Sequence, residues 1–514
     1  MKGGKNMIDI GMILTVLFAL PIVFGALTGL FKGVGRQALR LIFTLVSVVE
    51  AFFVTSMASD ELIKQMSPEA IVASIGASGM DVSAIEGLPT YFDAWTWMLQ
   101  LPIRVFTAPV LFVTLFFILN GLNRILCLLI RTCMGIGKPD HEPLSNLFGA
   151  IFGAIEGAVI ALVLFLPLVA YTNIADNSIN VIREKDNGKY TEFVQMYDDY
   201  VAPITNHEVV KFVSFCGGQQ VIDQYATIEI DGVQTNLIDE ATTMVTIGVE
   251  FASYNGADYF SGLEQSHKEL IYGTIDQIED SPYLSTVISG MLSGVGRAID
   301  DNVISITLSD SYDAIIDPVI VLFATSDRYN LPEDLRTICD VYFLLTDSGA
   351  LKAYGTENGE DDVKNALIAR DENGKTLMSR VTDRLNQNER TKPLVTTLTE
   401  MTLTVLAGEI GGEYDVTQAY DQIKEEFHDV LAVKPDQYET TEEYEAARDS
   451  AVNDALTNNG IELDDETVHE IGNYVDEHYG DRDDLTNDDI NDILLYYYEI
   501  SANNQNLEDL EGLE

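Results

Sequence analysis

The first third of the chain contains four long stretches of apolar residues. They cover residues 11–31, 41–57, 105–122 and 147–171. A helix needs about 20 residues, with a range of about 17–25, to cross the hydrocarbon core of a bilayer. The pattern therefore predicts four transmembrane helices within residues 1–174.

After residue 173 the apolar stretches give way to shorter segments in which apolar residues recur every three or four positions. This period is typical of amphipathic α-helices. Residues 226–237 are the exception, because apolar and polar residues alternate there on either side of Asp231-Gly232, which predicts a β-hairpin. The predicted fold class is all-α, with helical subdomains at 175–352 and 360–514 and one hairpin. The polar, glycine-containing residues 354–362 are the predicted break between the two subdomains.

Charge divides the chain at the same place. Of the 514 residues, 30 are basic and 81 acidic, which gives a formal charge of −51. Residues 1–174 contribute −1 and residues 175–514 contribute −50. The acidic region would repel a phosphate backbone, so nucleic acid is excluded as a partner. A basic protein partner, divalent cations or water alone remain open for this surface.

Basic residues in the short loops predict the orientation, because such loops stay in the cytoplasm. Three lie between the first two helices and three between the last two, whereas residues 58–101 contain only Lys64 before the next helix. The six are Lys32, Arg36, Arg40, Arg124, Arg131 and Lys138. We therefore expect a multi-pass protein of the cell membrane whose termini, and whose residues 175–514, are extracytoplasmic.

Two rows of glycines lie at matching depth in the first and fourth helices. Each row repeats every four residues, and such rows allow helix backbones to approach closely in a membrane. They predict a tight contact either between these two helices or across a homo-oligomer. The residues are Gly25, Gly29 and Gly33 in the first row and Gly149, Gly153 and Gly157 in the second.

Residues around these glycines resemble a known family. The segments GALTGLFKGVGRQAL at 25–39 and PLSNLFGAIFGAIEG at 143–157 are similar to the first and last helices of the colicin V production protein (CvpA) family. The resemblance covers residues 7–173. It implies a four-helix membrane module linked to secretion and envelope homeostasis, and it implies no catalytic residues and no cofactor.

Two carboxyl groups lie inside the predicted helices. Counting helical rise from the predicted inner ends places Glu50 and Glu156 near the middle of the bilayer, with Arg124 closer to the cytoplasmic end. Buried charges in a membrane are costly and usually have partners. We expect the two carboxyls to face inward and to lie together, with at least one protonated. They then form either a hydrogen bond between helices or a proton or cation site.

The remaining chemistry in the sequence is sparse. Cys127 and Cys133 lie near the cytoplasmic side, whereas Cys216 and Cys339 lie in the acidic region, where they form either one disulfide or two free thiols. Residues 346–350, TDSGA, only superficially resemble the setting of a serine protease nucleophile. No residue is predicted to be catalytic or to bind a metal or cofactor.

Three functions from different classes remain. The first is a CvpA-like envelope protein that presents a non-catalytic extracytoplasmic domain to an unknown protein partner, as a scaffold or regulator of secretion or envelope homeostasis. The second is a small transporter or channel subunit that uses its intramembrane carboxylates. The third is an extracytoplasmic hydrolase of unrecognised type.

Overall fold

The computed structural model describes most of the chain, and every structural statement below refers to those residues. They are residues 10–78, 88–134, 143–185, 188–253, 262–301, 303, 313–354, 375, 377–395, 416–457, 464–480, 482, 485, 489, 490, 493 and 496. The predicted break at 354–362 and Lys138 lie outside this set, apart from Tyr354, and so does the side chain of Cys133.

Four helices are long and apolar enough to cross a bilayer, which confirms the predicted number. α1 spans Ile10–Lys32 and α2 spans Val34–Gln65, followed by the short α3, Pro68–Ala77. The third span begins with α4, Asp93–Leu101, continues through a π-helical turn at Pro102–Thr107 and ends with α5, Ala108–Met134. The fourth span is part of α6, Pro143–Lys185.

α6 is much longer than the bilayer is thick. Its 43 residues extend ~64 Å at about 1.5 Å per residue, against a hydrocarbon core of about 30 Å. The predicted boundary at residue 174 falls inside this helix. The last turns of α6 therefore carry the chain directly from the apolar stretch into the acidic region.

The elements after α6 are short, and most of them are helical. Among them β1 and β2 form an antiparallel two-stranded sheet that pairs Ile230 with Val233, which confirms the predicted hairpin. Asp231 and Gly232 both have positive φ, 49° and 83°, as a two-residue turn with the twist of a hairpin requires. The elements are α7 Thr191–Met196, α8 Ala202–Thr205, α9 Glu208–Val213, α10 Gln219–Ala226, β1 Thr227–Ile230, β2 Val233–Asn236 and α11 Leu237–Ser253, with π-helical turns at Tyr197–Val201 and Ser214–Gly218.

The later part of the chain is helical throughout the described residues. Its helices are α12 Gln265–Asp280, α13 Pro282–Asp300, α14 Asp313–Ala324, α15 Leu331–Asp347, α16 Ala350–Tyr354, α17 Leu377–Asn386, α18 Val416–Ala432, α19 Thr441–Thr457 and α20 Asp465–Tyr479. Two 3-10 turns, Leu88–Tyr91 and Pro435–Gln437, complete the assignment.

The chain forms two compact units. The first contains Met1–Asn255, Asp276–Gly294 and Asp327–Tyr329, and the second contains Gly256–Ile275, Val295–Ser326 and Asn330–Glu514. In the first unit one hydrophobic core includes Phe112 and Phe116 of α5 together with Val213, Tyr225 and Leu237 from the region after α6. The long apolar helices and the acidic region therefore share a core in this unit.

The second unit contains two further cores. One packs α18, α19 and α20 around Phe427 and Ile471, and the other joins α14, α15 and α17 around Leu377. Arg448, 2% exposed, lies beside the first core and donates hydrogen bonds to Asp449 and Asp476. These bonds compensate for the burial of its charge.

A buried acid in the first unit should make stability depend on pH. Burial raises the pKa of Glu240, although Ser281 donates a hydrogen bond to its carboxylate. A raised folded-state pKa favours folding while the acid is protonated, and this contribution is lost as pH rises through the folded pKa. We expect Glu240→Gln to gain stability relative to wild type between pH 4 and 8, measured by urea unfolding in detergent. If the difference in the free energy of unfolding between variant and wild type does not change with pH, Glu240 has the same pKa in the folded and unfolded states.

Candidate functional site in the apolar helices

The two glycine rows face each other within one chain. A Cβ placed on Gly153 would lie 2.0 Å from the carbonyl oxygen of Gly25, and one on Gly29 would lie 1.9 Å from the carbonyl oxygen of Gly149. Such distances are far shorter than any real contact, so the backbones of α1 and α6 touch. The structure thus brings the rows together inside the bundle.

The ends of the two rows continue this contact. A Cβ on Gly149 would lie 3.1 Å from the Cα of Gly33, the residue between α1 and α2, and one on Gly157 would lie 2.2 Å from the carbonyl oxygen of Pro21. Gly33 has a φ of 75°, which a side chain would strain, and this conformation turns the chain from α1 into α2. These glycines fix the relative depth of α1 and α6.

α2 buries a row of polar side chains against its neighbours. Five of its eight buried residues are polar, and they are spaced three, four, seven or eight residues apart along one face of the helix. From the first to the last they cover ~33 Å of helical rise, which is about the thickness of the hydrocarbon core. We call this row the polar seam; it consists of Gln37, Thr44, Ser47, Thr55 and Ser59.

Glu156 of α6 joins the end of the polar seam that contains Gln37. Its side chain is 4% exposed. Gln37 donates an amide N–H to Oε2, and the hydroxyl of Thr44 lies 3.4 Å from Oε1. Arg124 of α5 forms an ion pair with Oε1 at 3.2 Å. Three helices therefore meet at this carboxylate, which is surrounded by donors and one cation.

This arrangement corrects two expectations. Arg124 is expected closer to the cytoplasmic end than Glu156, but its guanidinium reaches the Glu156 carboxylate at 3.2 Å. Glu50 is partly buried and accepts a hydrogen bond at 2.6 Å from Asn123, which also donates to Ser47. Gln37 and Thr44 precede Glu50 by ~9–20 Å of helical rise, so the two carboxyls have separate partners instead of each other.

Four of these partners do not stand out in the sequence. Thr44 is flanked by apolar residues and Asn120 by leucine and glycine, whereas Gln37 and Asn123 each follow or precede an arginine. Each of the four is at most 8% exposed. The hydroxyl of Thr44 also contacts Oδ1 of Asn120 at 3.4 Å. The recurrence of polar residues at spacings of three, four, seven or eight positions, which keep to one face of α2, is the signal that could have found the polar seam.

The cysteines carry no bridge among the described residues. Cys127, Cys216 and Cys339 are free thiols, and Cys216 is exposed. Burial raises the pKa of Cys339 to about 11, with Asp340 adding to the effect. This thiol is therefore protonated at neutral pH and is a poor nucleophile.

Comparison with known proteins gives no relative. No family model, no curated protein and no solved structure matches the chain.

Proposed function

We propose that this chain is a CvpA-like integral membrane protein of the bacterial envelope. It presents its acidic helical region outside the cytoplasm as a non-catalytic scaffold or regulator of secretion or envelope homeostasis. The observation that carries the proposal is α6, which runs without a break from an apolar stretch of bilayer length into the acidic region. The resemblance of residues 7–173 to the CvpA family adds the functional context.

The attachment of the two regions supports a scaffold. Leu166 and Val169 of α6 belong to the same core as Val213, Ile222 and Leu237 from the region after α6. A shared apolar core resists relative movement, because separating its two sides would expose buried apolar surface. The membrane helices therefore hold the first unit's acidic region in a defined position at the membrane.

The charge of the acidic region indicates the chemistry of its partner. Residues 175–514 carry a formal charge of −50, which attracts basic surfaces and repels anionic headgroups. We infer that the partner is a protein with a basic face. Its association should weaken as salt rises, since the Debye length falls from about 10 Å at 0.1 M to about 3 Å at 1 M.

Sidedness is the first test of this proposal. Val233 in the hairpin is exposed, and Gly35 near the start of α2 is exposed with open space around it. In a chain without its native cysteines, we expect a membrane-impermeant maleimide to label Val233→Cys in intact cells. Gly35→Cys should react only after lysis. The opposite result would place the acidic region in the cytoplasm.

The polar seam supports a second candidate, a transporter or channel subunit. Its length matches the bilayer core, and Glu156 and Glu50 lie beside it. Polar rows of this kind also hold membrane helices together through hydrogen bonds.

A measurement of proton flux separates the two roles. The purified full-length chain is placed in liposomes, and proton entry is followed with a trapped pH-sensitive dye. Flux that Glu50→Gln abolishes would favour transport, and flux equal to empty liposomes would favour the scaffold.

A further inference from the structure

Residues 202–226 form helical segments joined by a kinked turn. α8 and α9 lead into a π-helical turn at Ser214–Gly218, and α10 follows. Gly217 has a φ of 101°, which interrupts the helical path between α9 and α10. A side chain is strained in this conformation, so glycine permits the kink.

The glycine contacts provide a depth scale for these segments. Lys32 and Gly149 lie at the same end of the bundle, since Gly149 packs on Gly29 and Gly33. Phe18 precedes Lys32 along α1 by ~21 Å of rise, and Phe165 follows Gly149 along α6 by ~24 Å. The hydrocarbon core is about 30 Å thick, so both rings lie inside it, in the half that is remote from Lys32.

The end of the first arm, α9, and the kinked turn after it reach this depth, and together they are called the tip. The ring of Phe212 lies 5.9 Å from that of Phe18, and Phe18 lies 5.5 Å from Phe165. Cys216 and Val213 border an apolar cleft of about 150 Å³ with Leu162 of α6. Leu162 follows Gly149 by ~20 Å of rise. Val213 and Cys216 therefore lie ~6–10 Å below the surface of the hydrocarbon core. Phe215 borders a second cleft with Val169 of α6, which follows Gly149 by ~30 Å of rise, so its side chain lies near that surface.

The second arm returns toward the surface. Tyr225 of α10 stacks on Phe52 of α2 with ring centroids 5.1 Å apart, and it packs against Phe112 of α5. Phe52 lies ~27 Å along α2 from Val34, near the far edge of the core. Beyond Tyr225 the chain enters the β-hairpin. The path thus descends through α9 and rises through α10.

The tip leaves apolar side chains largely exposed, although Phe212 also packs on Phe18. Phe215 is 87% exposed and Phe212 49%. Lys211, 55% exposed in its side chain, is the only charged residue from Val209 to Gly218, and a lysine can extend its charged end toward the headgroups. The same depth of α1 exposes Leu20, so the exposed tip continues a lipid-facing surface.

We propose that residues 202–226 are a re-entrant hairpin in the leaflet remote from Lys32, with Phe212 and Cys216 facing lipid acyl chains and Phe215 near the surface of the hydrocarbon core. This inference rests on the proposed membrane location of α1 and α6. A re-entrant segment is tolerated when its backbone bonds are satisfied by helices or buried in protein. Both conditions hold here, because the arms are helical and one face packs on α6.

The native thiol of Cys216 provides the test. The other three cysteines are replaced by alanine, Cys216 is spin-labelled, and the full-length chain is reconstituted in phosphatidylcholine vesicles. Collisions with oxygen, which concentrates in lipid, are compared with those of a water-soluble nickel chelate. We expect oxygen collisions to exceed nickel collisions several-fold at Cys216. Nickel collisions as frequent as at a water-exposed site would overturn the hairpin.

Two matched labels separate this proposal from the membrane location itself. With Cys216 also replaced by alanine, Leu20→Cys reports the lipid face of α1 and Val233→Cys reports the β-hairpin. Cys216 should resemble Leu20→Cys. If Leu20→Cys has the same ratio of oxygen to nickel collisions as Val233→Cys, the bundle is not in the bilayer. If only Cys216 has the ratio of Val233→Cys, the bundle is in the bilayer and only the re-entrant hairpin is wrong.

A second variant keeps all native cysteines. Phe215→Trp should add fluorescence that brominated phosphatidylcholine quenches by at least half, measured as the difference from wild type because Trp95 and Trp97 also emit. Quenching of the added fluorescence by aqueous iodide, with no effect of brominated lipid, would contradict the proposal.

Discussion

Replacing Gly153 with alanine is expected to destabilise the membrane bundle more than any other single-methyl change proposed here. The new Cβ would lie 2.0 Å from the carbonyl oxygen of Gly25 and 3.2 Å from the Cα of Gly29. Both neighbours are backbone atoms, so only a shift of a whole helix can relieve the clash. Overpacking usually costs about 1–3 kcal/mol, and we expect a loss at the upper end of this range, measured by thermal unfolding in detergent micelles.

Gly121 of α5 is the matched control. A Cβ placed there meets no heavy atom within 4 Å. Alanine is a better helix former than glycine by up to about 1 kcal/mol, so Gly121→Ala should be neutral or mildly stabilising. If Gly153→Ala unfolds at the same temperature as Gly121→Ala, α1 and α6 do not meet through their glycines.

Glu156→Gln is expected to produce the second largest loss of stability. The wild-type carboxylate accepts from Gln37 and Thr44 and pairs with Arg124. A glutamine presents an N–H₂ group to some of these donors, and the ion pair is lost. An unsatisfied buried polar group costs about 1–3 kcal/mol, so we expect a loss of about 2 kcal/mol in the same unfolding assay.

Glu50→Gln is the control for this change. Glu50 accepts a single described hydrogen bond from a side chain, that of Asn123, and a glutamine oxygen can accept the same bond. We expect its effect on stability to be less than about 1 kcal/mol. Equal losses for the two variants would mean that Glu156 is not the more tightly held carboxylate.

A double-mutant cycle tests the ion pair directly. Residues in contact show coupling energies of about 0.5–3 kcal/mol. Arg124→Gln in wild type leaves the Glu156 charge without its cation, whereas in Glu156→Gln no charge is left behind. The double variant should therefore lose less stability than the two single losses together. Additive losses would show that Arg124 and Glu156 do not interact.

The sequence by itself determined the elements that depend only on residues close together in the chain. Four apolar stretches of bilayer length specify four spans, because burying a helix of that length in lipid needs no information from distant residues. Asp231 and Gly232 specify the β-hairpin, because both positions need a positive φ that few residues adopt. The glycine rows similarly indicate which face of a helix allows another helix to pack closely, although they do not identify that helix.

Tertiary structure decided the features that depend on how helices slide against one another. Apolar length places a helix in depth only to within several residues, and an offset of two turns moves a side chain by ~11 Å. Because of that uncertainty, the sequence predicts that the carboxyl groups of Glu156 and Glu50 lie close together. The packing of α6 on α1 and α2 instead brings Glu156 to Gln37 and Arg124. The tip of the re-entrant hairpin contains too few apolar residues to indicate a membrane location by itself. Contacts with Phe18 and Leu162 give its depth, because those residues already have a known position along their helices.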